Sequence, residues 1–114
     1  MKIVYFTKNL TLSGQIKDAL EQKIKKFYHL AHGVKEIRVD LSYNANHHKD
    51  DAIRLEVTIE SLNKNFQAST RAANILEAAD RLENKMKNQL EKAKKAKEVK
   101  RKITRRLIRA NKSL

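Results

Sequence analysis

EIRVDLSY at residues 36–43 and AIRLEVTIE at residues 52–60 decide the fold. Each alternates strictly. Ile37, Val39, Leu41 and Tyr43 point one way and Arg38, Asp40 and Ser42 the other. Ile53, Leu55, Val57 and Ile59 oppose Arg54, Glu56, Thr58 and Glu60. Period-two alternation predicts strands with one dry and one wet face, as in an antiparallel sheet covered on one side. The polar run NANHHKDD (44–51) is the loop between them. Asn63-Lys64-Asn65 reads as a tight turn into a further strand at 66–70.

Working outward, KIVYFT (2–7) is β-branched and aromatic and predicts a first strand. Ser13 is placed to cap a helix over about 14–32, whose apolar stripe is Ile16, Leu20, Ile24, Phe27 and Ala31. Gly33 is suited to end it. A second helix is expected from about Ala72, with Ile75, Ala79, Leu82, Met86, Leu90 and Ala93 as its stripe. Past Ala93 the stripe thins, and helix is expected to about 95–100. Beyond that comes a tail that is frayed, or helical only when bound, along which Val99, Ile103 and Leu107 continue the spacing. Phe6, Phe27, Phe66 and Tyr43 are assigned to the core, so no aromatic row is expected to stack bases on the sheet.

The order β-α-β-β-β-α predicts an α+β domain over residues 1–98. It is a four-stranded sheet with two helices side by side on one face, followed by a basic extension at 99–114. With 114 residues there is room for a single domain. There is no Cys, hence no disulfide framework or thiolate metal site. Neither a signal peptide nor a run of about 18 apolar residues is visible, and a cytoplasmic location is expected. No Pro and two Gly leave no phosphate-cradling Gly-rich loop.

The charge is lopsided. Residues 81–114 carry 14 Lys/Arg against three acids, while residues 1–80 carry 12 basic and ten acidic groups. A charge this localised implies a polyanionic partner. On a helical wheel, Arg81, Lys85, Lys92 and Lys95 fall within roughly 200–280° of Ile75, while Asp80, Glu83, Lys87 and Lys94 fall near roughly 80–140°. Lys23 and Lys26 share a flank of the first helix. If the basic flanks adjoin, the helices form one basic plate that follows RNA phosphates without reading bases. A solvated Lys-rich face is the plain alternative.

At this point the sequence resembles a known family, the ribosome hibernation promoting factors and ribosome-associated inhibitor A, over about residues 1–95. The opening MKIVYFTKNLTLSGQIKDAL resembles its first strand, connection and helix. QKIKKF matches its Lys-x-x-Lys pattern at Lys23 and Lys26, with Lys17 a further basic position upstream. QASTRAANILEAADRLENKMKNQLEKAKK resembles its last strand and second helix, with Asp80, Leu82, Lys85, Gln89, Leu90, Lys92 and Lys94 at matching positions. The chain departs at Leu76 (often Tyr), Ala79 (often Ile) and Asn88 (commonly Arg), and its tail is basic where some relatives' is acidic. Long relatives carry a second, ribosome-pairing domain that this sequence lacks.

The resemblance implies a fold similar to double-stranded RNA-binding domains. It implies binding to the small ribosomal subunit and the 70S ribosome, in the channel of mRNA and tRNAs, with translation silenced and idle ribosomes preserved under stress. Lys17, Lys23, Lys26, Arg81, Lys85, Lys87, Lys92, Lys94, Lys95, Arg101, Arg105 and Arg106 are the expected rRNA contacts. No reaction, cofactor, metal or small-molecule substrate is expected, and the free protein is expected to be monomeric.

Three other readings use parts of the same sequence. The same ridge suits a general duplex nucleic-acid binder or transcription modulator. An enzyme would have to use His47, His48, Asp50 and Asp51, where no third ligand is spaced to close a metal site. The tail can be drawn as a basic amphipathic helix for a membrane surface, but it has no Trp or Phe anchor.

Overall fold

The computed structural model describes the backbone of residues 2–62 and 64–112 and the side chains through Lys95, Asn63 excepted. The elements are β1 (Ile3–Lys8), α1 (Gly14–Leu30), β2 (Val34–Tyr43), β3 (Ile53–Ser61), β4 (Asn65–Ala72) and α2 (Ile75–Lys112), with a short 3₁₀ turn at Lys49–Asp51. The sheet order is β1-β2-β3-β4. β1 runs parallel to β2 through the α1 crossover, and the other pairs are antiparallel. The expected β-α-β-β-β-α architecture is the one observed, with a mixed sheet.

The alternating strands supply the core. Ile37, Val39, Leu55, Val57 and Ile59 are fully buried, and the α1 and α2 stripes (Leu20, Ile24, Phe27; Ala79, Leu82, Met86, Leu90) close over them. Burying such side chains is worth roughly 1.5–3 kcal/mol each. Ser13 caps α1: its hydroxyl accepts the Ile16 N–H at 3.3 Å. The helix stops at Leu30, two residues short of expectation, and Gly33 sits in the following turn at φ 65°. A Cβ there would lie 2.5 Å from the exposed Leu62 side chain, which would have to move aside, and the positive φ strains any residue but glycine. α2 likewise starts at Ile75 instead of near Ala72. Ala72 still belongs to β4, and the Asn74 carboxamide caps the helix by accepting the Glu77 N–H at 2.8 Å.

Two aromatic assignments are corrected. In the parallel register Ile3 pairs with Ile37 and Tyr5 with Val39, so Ile3 and Tyr5 face the helices. Phe6 pairs with Asp40 and stands on the uncovered face, 45% exposed. Tyr43 has inward parity but lies at the strand end, and is 42% exposed. Tyr5 is wedged between sheet and α1. Burial, then the nearby Glu21 and Asp18, push its phenol up to about 12.

The helical backbone of α2 runs on to Lys112, past the expected end near 95–100. At ~1.5 Å per residue the helix is about 57 Å long. Ala93 is the last α2 residue packed on the core. The stretch beyond it extends the long axis of the molecule to 67 Å.

Candidate nucleic-acid interface

The basic residues of the two helices do not form one plate. α1 lies against the acidic flank of α2, not the basic one. Lys23 Nζ donates to Asp80 and lies 3.7 Å from Glu83; Lys26 Nζ reaches Glu83 at 3.1 Å. The hydrogen bond to Asp80 is the main reason that the Lys23 pKa is raised. The wheel gave the angle between the flanks correctly. Which flank meets α1 is set by the sheet: α2 lies over β3 and β4, and its Asp80–Glu83 side turns toward α1. Lys17 is also remote from α2. It lies over the Tyr5 ring, 5.2 Å from its centroid.

The opposite flank of α2 runs along the outer edge of β4. Arg81 donates to the Arg71 carbonyl at 2.7 Å, Lys85 to that of Ser69 at 3.0 Å, and Gln89 to that of Gln67 at 3.0 Å. The spacings match. Four helical residues rise ~6 Å and two strand residues ~6.7 Å, so an i, i+4, i+8 row meets every second carbonyl. This ladder covers an edge that would otherwise be free to pair with another strand. Arg81 also pairs with Glu77 at 2.8 Å. The buried Thr70 hydroxyl donates to the Ala78 carbonyl at 2.8 Å and fixes the start of α2 on β4. Sequence reasoning singled out Arg81 and Lys85 for charge but missed their anchoring role, which depends on strand and helix running side by side in opposite directions.

Beyond Lys85 the picture changes. Lys87, Lys92, Lys94 and Lys95 make no ion pair among the described residues, and none has a core or edge contact there. They occupy both flanks of α2 as it leaves the sheet. The expected contacts Arg101, Arg105 and Arg106 follow on the same helix, where side chains are outside the described residues. The arrangement is a basic helical rod held at one end by a packed domain. Lys side chains on such a rod suit contact with a polyanion.

The loop histidines are open to solvent, with His48 Nδ1 4.0 Å from Asp50. Among the described residues no group of three His, Cys, Asp or Glu side chains converges on a metal position. Nor is any helix there long and apolar enough to cross a membrane.

A small α+β domain of β-α-β-β-β-α order, bearing a basic helical arm, is the class that fold and site define. The family model described as Sigma 54 modulation protein / S30EA ribosomal protein matches residues 3–110, and the chain belongs to this family. This bears out the resemblance to the ribosome modulation and hibernation proteins. The fold is similar to that of a ribosomal subunit interface protein from Coxiella burnetii (TM-score 0.69, 18% identity, covering 82% of this chain and 98% of that one). It is also similar to the Protein Y N-terminal domain of Thermus thermophilus (TM-score 0.67, 20% identity, covering 81% and 98%). No curated protein sequence matches this chain.

Proposed function

We propose that this protein is a ribosome-binding translation silencer. It occupies the mRNA and tRNA channel of the small subunit and holds idle ribosomes, without catalysing a reaction. Family membership supports the ribosome as partner. The observation that supports RNA phosphates as the contact is the split along α2. The acids of its first turns are engaged by Lys23, Lys26 and Arg81, while Lys87, Lys92, Lys94 and Lys95 have no acidic partner among the described residues. These four lysines form the main phosphate-facing surface, with Lys85 at its base. The basic residues of 99–114 add affinity, and the free protein is a monomer.

The test is a sucrose-gradient profile of ribosomes with and without the protein, combined with a cell-free translation assay. The protein should travel with small subunits and whole ribosomes and lower translation in proportion to occupancy. Migration at the top of the gradient at physiological salt would sink the proposal. Removal of 99–114 should weaken binding and reduce its salt dependence while leaving the preference for ribosomes intact.

A further inference from the structure

The face of the sheet turned away from both helices holds a shallow cavity of about 620 Å³. Its rows follow from the register. Phe6, Asp40 and Glu56 lie abreast across three strands, with Arg38, Thr58 and Gln67 in one flanking row and Lys8, Ser42 and Arg54 in the other. The phosphate-binding reading of α2 uses none of them.

Three observations define what fits there. First, an aromatic ring is left nearly half exposed on a face that is otherwise polar but for Val4 beside it, with the Arg38 guanidinium 4.3 Å from its centroid. Second, the carboxylates are fixed by neighbours within the sheet. Arg38 pairs with Asp40 at 3.3 Å, Arg54 with Glu56 at 2.5 Å, and Gln67 also donates to Glu56. Third, the charged groups lining the cavity, Lys8, Arg38 and Arg54 against Asp40 and Glu56, leave a single positive charge in excess. A bare phosphate has no use for the ring and meets two carboxylates. An acidic peptide meets the same carboxylates and finds no free backbone edge on a sheet face. A nucleotide fits all three features. It brings a π-face for the ring and guanidinium, exocyclic amino groups for carboxylate acceptors, and one negative charge.

We propose that this trough takes one unpaired nucleotide of RNA, its base stacked on the Phe6–Arg38 pair and its amino group donating to Asp40 or Glu56. With one ring available, the site holds one base and not a run of them. It lies on the opposite side of the sheet from the helices, so the protein engages RNA at two places, by phosphates along α2 and by one splayed base on the sheet. The inference takes RNA as partner from the proposed function, but its test does not need the ribosome.

Fluorescence anisotropy with a short unstructured single-stranded RNA and with an RNA duplex separates the two surfaces. Phe6→Ala should weaken single-strand binding about 10-fold, as expected for loss of one stacked base, and leave duplex binding unchanged. Phe6→Trp should restore or exceed the original affinity. Neutralising Lys92 and Lys94 should weaken both. Amide chemical-shift changes on adding a nucleoside monophosphate should centre on Phe6, Arg38 and Glu56 and vanish in Phe6→Ala. Equal single-strand binding by wild type and Phe6→Ala, equal loss on both RNAs, or shifts confined to α2 would each overturn the inference. Failure to sediment with ribosomes would instead count against the proposed function alone.

Discussion

Between Ile75 and Asn84, α2 carries three acids and one Arg; between Lys85 and Lys95 it carries five Lys and one acid. The first stretch is packed on all its working sides. Leu82 and Ala79 face the core, Asp80 and Glu83 hold Lys23 and Lys26, and Arg81 reaches the β4 edge. The second stretch keeps Met86 and Leu90 on the core, but its cations beyond Lys85 point at nothing described in the molecule. The comparison teaches that cations in one helix are not equivalent. Those near the start position the domain's parts, and those further on are available to a partner.

That division can be broken at its strongest point first. Leu82→Ala removes a fully buried anchor of the first stretch and should lower unfolding free energy by about 3 kcal/mol, read by chemical denaturation. A loss under ~1 kcal/mol would mean that α2 is not seated where the structure has it. Next comes the edge ladder. Lys85→Met and Gln89→Met should each cost about 1 kcal/mol, with Lys92→Met neutral by the same denaturation measurement. An equal effect at Lys85 and Lys92 would erase the distinction between anchoring and free lysines. Smaller still is the contact between helices. A double-mutant cycle on Lys23 and Asp80 should give a coupling of only about 0.2–1 kcal/mol, because the pair is solvent-exposed.

A further effect is confined to alkaline solution. Tyr5 and Lys23 both hold their protons more tightly when folded than when unfolded. The unfolded chain therefore releases them first, and stability falls as pH rises. For Tyr5 the fall begins near its ordinary value of 10.0 and runs on through about 12; for Lys23 it begins near 10.5. Tyr5→Phe should flatten the alkaline limb of a stability–pH curve, and tyrosinate absorbance in the folded wild type should show one of the three tyrosines titrating last. An unchanged limb would remove Tyr5 from the account.

The sheet was legible because residues 36–43 of β2 and 52–60 of β3 alternate, and the residues assigned to their dry faces, Tyr43 excepted, are buried. β1 was harder. Ile3, Val4, Tyr5 and Phe6 are all apolar, so period two gives no phase, and only pairing with β2 decides that Tyr5 turns in and Phe6 out. The same limit applied to the site. Wheel angles placed Asp80 and Glu83 opposite Arg81 and Lys85, but which flank met α1 awaited the order of strands. Lys87, Lys92 and Lys94 were named from the sequence by charge. What set them apart from Lys23 and Lys26 was the position of the acids in space.

The central claim is that phosphate contact belongs to the second stretch of α2. It is tested most directly by two charge-matched variants, Lys92→Gln/Lys94→Gln and Lys23→Gln/Lys26→Gln, titrated onto purified small subunits at several salt concentrations. Both lose two positive charges, so a difference between them reports location and not net charge. The first pair should lose about 50-fold in affinity near 0.1 M salt and lower the slope of log K against log salt by about two. The second should change affinity by less than about 3-fold and leave the slope as in wild type. Equal losses in the two variants, or a larger loss from the α1 pair, would contradict the account.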